Sequence, residues 1–356
     1  MIYKDTTMKN IQDKINQLSE PIAIFGAGGF VGFNLLQKIL SYRKDVFGVF
    51  SDPKKNWRLQ KKPTPPQNVV KCDLLDGGEI KAVISRMQPK TVFNLAAYGG
   101  YSTQQNIDKI YQTNFNSTYI LIEELKKHGF SAYVHSGSQS EYGLNCSGPS
   151  EKDELVPNSH YAISKTTVSY LVKYYGKLEK LPVVHLRLYS VYGPWEEPNR
   201  LIPTLIRDAK KGRLPKFVDP NISRDFVYVD DVVEAIIMVA GRLCHSDSLD
   251  FTRDKLRGGI PFQTPIEKDF STPKLIARND KLFGEVFNIC TGKKTTIREL
   301  AYLAKKIFKI KQEPQFGTMK NRGWDLKDWY GNPKKIQRFF GWKAKIDLEK
   351  GLKRIV

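Results

Sequence analysis

The chain has 356 residues, and its 57 Lys and Arg against 37 Asp and Glu give a formal charge of +20 at pH 7. With 40% hydrophobic and 12% aromatic residues it can bury a large core, which excludes a disordered chain, and its length suits two domains or one large α/β unit. No apolar run nears the ~20 residues of a membrane helix and residues 1–20 hold no signal-peptide core, so a cytoplasmic protein with no membrane span is expected.

Cys72, Cys146, Cys244 and Cys290 have no C-x-x-C spacing, and the five histidines form no H-x-x-x-H pair, so neither a disulfide framework nor a metal site is expected. The positive charge is spread along the chain without an arginine-rich tract or zinc finger. Specific nucleic-acid binding is therefore not expected, and the charge is left to an anionic membrane surface, a phosphate-bearing small substrate or simply solvated lysine.

Residues 1–20 read as an N-terminal extension. Residues 21–25 (PIAIF) form a short apolar run that ends at a glycine-rich turn, and 30–40 continue with helical spacing. Strand-like runs recur at 45–50, 68–74, 91–97, 131–138 and 182–191, mostly with helical stretches between them. Such alternation implies right-handed βαβ units and a doubly wound parallel sheet, assigned to 21–192. Beyond 192 the pieces shorten into a helix at 201–211, a strand at 225–229 and a helix at 230–242. These, with 285–289 and a helix at 297–308, read as a smaller, interleaved α/β domain over 193–356. Residues 243–282 form a long insertion with little periodicity, expected on the substrate side.

Two constellations carry chemistry. Gly26, Gly29 and Gly32, with Phe30 and Val31 opening the helix, sit where a strand becomes a helix; small residues admit a pyrophosphate, and the helix N-terminus favours its charge. At the next strand end Asp52 favours NAD, whereas Ser51 with Lys54, Lys55 and Arg58 favours NADP, and the choice stays open. Asp73, with Leu74 beside it, stands where an adenine amino group is met or where a helix is merely capped. The second constellation is Tyr161-Ala162-Ile163-Ser164-Lys165, whose first and last residues share a helix face. A nearby ammonium lowers a phenol's pKa towards a useful range, and Ser138, ending the preceding strand, can hydrogen-bond the reacting oxygen.

These residues, together with GAGGFVG at Gly26, NLAA at Asn94, SGSQSEYG at Ser136, LRLYSVYGP at Leu186 and RDFVYVDDVVEAI at Arg224, resemble the extended short-chain dehydrogenase/reductases, the NAD(P)-dependent nucleotide-sugar epimerases, dehydratases and reductases. The resemblance covers most of the chain. It implies a Rossmann-like domain, Ser138, Tyr161 and Lys165 as the catalytic set, and Asn114, Leu95, Ala96, Ala97, Tyr189 and Val191 on the cofactor side. It also implies Asn199, Leu201, Arg224, Arg322 and Asp325 around a nucleoside diphosphate sugar, with Gln139 and Ser190 near the sugar, and suggests a homodimer. The expected reaction is oxidation or reduction at C4, by a 4-epimerase or a 4-keto-sugar reductase. Gln139-Ser140 replace the Asp-Glu pair of the 4,6-dehydratases, which disfavours dehydration, and Glu141 is nearer to the pattern of the keto-sugar reductases. A scaffold without catalysis is the alternative from another class.

Overall fold

In the computed structural model, residues 10–245, 280–318 and 326–355 are described. Seven of the strands, β1 (Ile22–Phe25), β2 (Val46–Phe50), β3 (Val69–Lys71), β4 (Thr91–Asn94), β5 (Ala132–Ser138), β6 (Val183–Leu188) and β10 (Glu285–Ile289), form one sheet. The others are β7 (Ser190–Tyr192), β8 (Ser223–Arg224), β9 (Phe226–Tyr228) and β11 (Thr295–Thr296).

The large sheet runs β10-β6-β5-β4-β1-β2-β3, and every pairing in it is parallel. Its central strands are buried on both faces, as near-continuous apolar runs such as IAIF require. On one face Leu35, Leu36 and Ile39 of the helix Phe30–Leu40 pack with Val232, Ile236 and Val239 of the helix Val229–Cys244. On the other, helices Gly77–Met87, Ser117–His128 and His160–Lys177 contribute Ile80, Leu121 and Val168. Chain order reverses between β4 and β1, which opens a crevice at the carboxyl ends of those strands.

A third core joins helices Leu201–Ala209, Ile297–Phe308 and Leu348–Ile355 through Leu205, Phe217, Leu300 and Leu352. This is the smaller lobe. A cut at 192 separates the two only in part, because the helix Val229–Cys244 and β10 return to the large sheet. Nor do residues 10–20 stand apart: Ile15 is fully buried, and Arg43 donates to the carbonyls of Ile15 and Leu18 at 3.0 and 2.8 Å. Of the insertion at 243–282, residues 246–279 lie outside the described residues.

Asp225, part of the RDFVYV string but given no role there, stitches the lobes together. Its buried carboxylate accepts from the Thr291 N–H and hydroxyl at 2.8 and 2.6 Å, the Gly292 N–H at 2.9 Å and the Gly331 N–H at 3.3 Å. These bonds fix the backbone next to Arg224.

Candidate active site

The turn after β1 is shaped for close approach. Gly26 has φ +79, in the left-handed region, and a Cβ there would lie 2.5 Å from the Ala96 nitrogen. A Cβ on Gly32 would strike the Gly26 carbonyl, so the helix Phe30–Leu40 sits directly on the turn. No side chain caps that helix at Gly29, which leaves the N–H groups around Phe30 and Val31 for an anion. Leu95 and Ala96 flank Gly26, the Leu95 N–H donating to Phe25 at 2.9 Å and the Ala96 N–H to Asn94 Oδ1 at 3.3 Å, while Ala97 is exposed. The backbone leaves room for a pyrophosphate where a helix dipole favours it, so these residues fit a dinucleotide.

At the tip of β2, Ser51 is exposed and Asp52 accepts the Lys55 N–H at 3.2 Å. Arg58, read as a possible partner for a 2′-phosphate, is committed elsewhere. It is 2% exposed and donates to the carbonyls of Trp195 at 2.8 Å and Gly28 at 2.9 Å and to Glu197 at 3.0 Å. Asp73 accepts the Leu75 N–H at 3.0 Å, with Leu74 half-buried beside it. The helix cap that follows is Asp76, which accepts from Gly78 and Glu79.

Ser138 ends β5, its hydroxyl donating to Ser140 Oγ at 3.1 Å, and the helix His160–Lys177, capped by Ser159, carries Tyr161 to the same end of the strand. Burial pushes the Tyr161 phenol up to about 12, and the Ser138 hydroxyl is the main group opposing that rise. Lys165, 1% exposed, donates to the Ser136 carbonyl at 2.8 Å; burial draws it down to about 8, against the pull of Glu141. Lys165 was expected to lower the tyrosine. Here its ammonium points to the backbone, and the groups lowering Tyr161 are Ser138 and Arg200.

Asn114 is fully buried in a π-helical turn, Gln112–Asn116, where an extra residue re-aims the helix. Its Oδ1 accepts the Tyr98 N–H at 2.8 Å, and its Nδ2 donates to the Tyr98 carbonyl at 2.9 Å and to Ser164 Oγ at 2.8 Å. Asn114 therefore ties the loop after β4 to the helix of Tyr161. That loop includes Gly99 and Gly100, which lie against the Tyr161 ring, and Tyr101, whose ring carries the Arg200 guanidinium at 5.2 Å. Sequence reading missed this wall of the cleft, although the Gly99-Gly100 doublet was a signal for close backbone approach.

On the substrate side Gln139 is 8% exposed; its Nε2 reaches Ser190 Oγ at 3.5 Å, and its Oε1 has no partner. Asn199 is exposed one residue ahead of the Arg200 cap, and Leu201 opens the helix Leu201–Ala209. The Arg224 guanidinium lies 4.7 Å above the Trp329 ring and donates to the Ser223 carbonyl at 2.7 Å. Arg322 and Asp325 lie outside the described residues. Tyr189 is turned into the core, where a Cβ on Gly331 would strike its ring, while Val191 stays half-buried on the ladder with Val227. Glu141 is fully buried beneath Ser138.

Residues 22–248 match the NAD dependent epimerase/dehydratase family. The chain belongs to that family. UDP-glucuronate 4-epimerase 3 of Arabidopsis thaliana is 26% identical over 347 residues, covering 94% of this chain and 75% of its own. An epimerase of Methanothermobacter thermautotrophicus superposes with a TM-score of 0.77 at 21% identity, covering 99% of this chain and 95% of its own. UDP-glucuronic acid 4-epimerase from Bacillus cereus, solved with UDP-glucuronic acid and NAD, gives 0.72 at 22% identity, covering 94% and 97%. Among the described residues of this family member no helix is long and apolar enough to cross a membrane, and no three His, Cys, Asp or Glu side chains cluster as metal ligands.

One group near the cleft escaped sequence reading. Glu196 sits in the turn Gly193-Pro194-Trp195-Glu196, its Oε2 buried without a partner and its Oε1 3.9 Å from Arg200. Burial lifts its carboxyl to about 8, with Arg200 pulling the other way. The folded state thus holds a proton that the unfolded chain releases near pH 4.5, so stability falls as pH rises from there to about 8. Glu196→Gln removes this loss. Thermal melts at pH 5 and pH 8 check it: the variant gains on the wild type at pH 8 by at least ~1 kcal/mol and gains less at pH 5.

Proposed function

We propose that the chain is an NAD-dependent nucleoside diphosphate sugar 4-epimerase acting on a UDP-uronate or a closely related UDP-sugar. The observation that carries this reading is the convergence of Ser138, at the carboxyl end of β5, with Tyr161 and, one turn of helix on, the buried amine of Lys165, which donates to the Ser136 carbonyl of the same strand at 2.8 Å. In this reading Tyr161 takes the proton of the C4 hydroxyl while the Ser138 hydroxyl holds the same oxygen. The cofactor, when bound, supplies the reversible two-electron oxidation of C4. Once the 4-keto sugar has presented its other face, Tyr161 returns the proton to the opposite epimer. Lys165 keeps a positive charge beside the tyrosine as its proton moves.

Four further observations support the finer choices. Gln139 and Ser140 offer no carboxylic acid at the places where elimination of water needs an acid and a base. The commitment of Arg58 to two carbonyls and Glu197 favours NAD, since no buried arginine is left for a 2′-phosphate at that turn. The UDP-uronate assignment is supported by the UDP-glucuronate 4-epimerase relative, whose match spans 94% of the chain. Arg224 at the cleft rim suits a diphosphate because its planar fork takes phosphate oxygens in pairs.

The reading includes a homodimer. Ile163, Tyr170 and Tyr174 expose apolar surface along the helix His160–Lys177, and Tyr119 does so on the helix Ser117–His128, a face suited to a second copy. Light scattering after gel filtration is expected to give twice the chain mass, and Tyr170→Glu with Tyr174→Glu to give a monomer. A monomeric wild type rejects the dimer.

The catalytic reading is tested with UDP-glucuronate. Wild-type protein is expected to release bound NAD on denaturation and to interconvert the C4 epimers. Tyr161→Phe is expected to release the same NAD while its turnover falls about 10²- to 10⁴-fold. Protein that arrives empty and binds NADPH in preference to NAD contradicts the epimerase.

A further inference from the structure

Beneath Ser138 lies a group that the proposed reaction does not use directly. The Glu141 side chain is fully buried, and each of its oxygens is claimed. Oε1 accepts the Ser138 N–H at 2.8 Å and the His185 Nε2–H at 2.7 Å; Oε2 accepts the Arg187 Nε–H at 2.7 Å. Ser138 returns a bond from its own Oγ, which accepts the Ser140 N–H at 3.1 Å, so the pair forms a capping box around the short turn Gln139–Tyr142. Arg187 also donates to the Tyr142 hydroxyl at 2.8 Å and to Ser169 Oγ at 3.3 Å, and Ser169 rides on the helix that carries Tyr161 and Lys165. Gly137 admits the cluster, because a Cβ there would strike both His185 and Glu141.

We propose that Glu141 is a positioning residue of this site, fixing Ser138 through its backbone and supplying the buried negative charge that Lys165 and Tyr161 face. The inference rests on the epimerase reading of the same site. A cap formed by any neutral acceptor would hold the turn, yet here an anion is kept in the core, and a buried anion persists only with close partners. Its carboxyl is held at about 2: burial opposes ionisation, but the His185 N–H and the Arg187 guanidinium outweigh it. Burial keeps His185 below the usual imidazole range, so its neutral Nε2–H is the donor, and Nδ1 is the ring atom without a partner.

The charge reaches further than its hydrogen bonds. It opposes the effect of burial on Lys165 and on Lys173, and it raises Tyr161. The other titratable groups packed here are His135, stacked on His185 with ring centres 5.4 Å apart, and Tyr142, whose hydroxyl donates to Asn288 at 2.8 Å. Removing a buried negative charge lowers the pKa of each group that faces it. A Lys165 ammonium required for turnover is then lost at lower pH, so the alkaline limb of the activity profile moves down.

Glu141→Gln keeps an acceptor for the Ser138 N–H and removes the charge, and Glu141→Gln with Arg187→Met removes the cation left without its partner, as a safeguard against misfolding. Turnover of UDP-glucuronate is measured against pH and counted per NAD-loaded site. Both variants are expected to lose at least tenfold in kcat at pH 8, with KM within twofold of wild type and the alkaline limb lower by one pH unit or more. A purely structural role would reduce the number of loaded sites and leave the normalised profile where it is, and that result overturns the proposal.

A wild type that turns over neither UDP-glucuronate nor UDP-glucose would instead sink the epimerase reading. The inference about Glu141 is then decided by Tyr161 ionisation, read at 295 nm after a rapid pH jump with Tyr161→Phe as the blank. A midpoint lowered by the Glu141 variants sustains it, and an unmoved midpoint rejects it.

Discussion

A parallel sheet buried on both faces points every strand's carboxyl end the same way, and the rest of the molecule follows from that constraint. The ends of β1, β4 and β5 can only open onto one edge, and the change of direction between β4 and β1 splits that edge into a crevice. The glycine turn after β1, the loop after β4 and Ser138 after β5 therefore meet without any of them being near another in sequence. The smaller lobe closes the same edge from above, held there by the four hydrogen bonds that converge on Asp225.

Buried charge does the fastening around this edge. Arg58 spans from the Gly28 carbonyl to the Trp195 carbonyl and Glu197, and so clamps the glycine turn to the segment that leads into the smaller lobe. Arg187 and His185 neutralise and satisfy Glu141 under Ser138. Such groups are expensive to bury and more expensive to leave half-paired, since deleting one partner strands the other in a low dielectric. They add rigidity where a proton and a hydroxyl must meet within hydrogen-bond distance. Glu196 is the exception: its Oε2 has no partner, and its carboxyl stays protonated instead.

Local pattern made the first lobe legible. PIAIF before three spaced glycines is a strand, a turn and a helix by periodicity alone, and Tyr161 with Lys165 share a helix face by spacing. The helices Leu201–Ala209 and Ile297–Phe308 were also readable from their apolar spacing. What pattern does not carry is the direction of a side chain whose partners are distant in sequence. Arg58 looked like a phosphate ligand beside Lys54 and Lys55, but its partners are up to 139 residues away. Glu141 was legible only as part of an SEYG string nearer to the reductase pattern, and its role waits on His185 and Arg187, which β6 supplies to cover it. The strand of Tyr189 was visible, whereas the inward turn of its ring depends on Gly331, far along the chain. The short helix Ile11–Asn16 was missed because its charged exterior outweighs the single buried stripe of Ile15 and Leu18.

The central claim is that one tyrosine, one serine and one lysine run a closed oxidation and reduction at a single sugar carbon. It is tested most directly with UDP-glucuronate carrying deuterium at C4, incubated with the NAD-loaded protein in ordinary water. The account predicts an inverted C4 in the product with the deuterium still on it, because the atom leaves and returns within one closed site. Loss of the label to solvent or to added nucleotide, or inversion at another carbon, would contradict it.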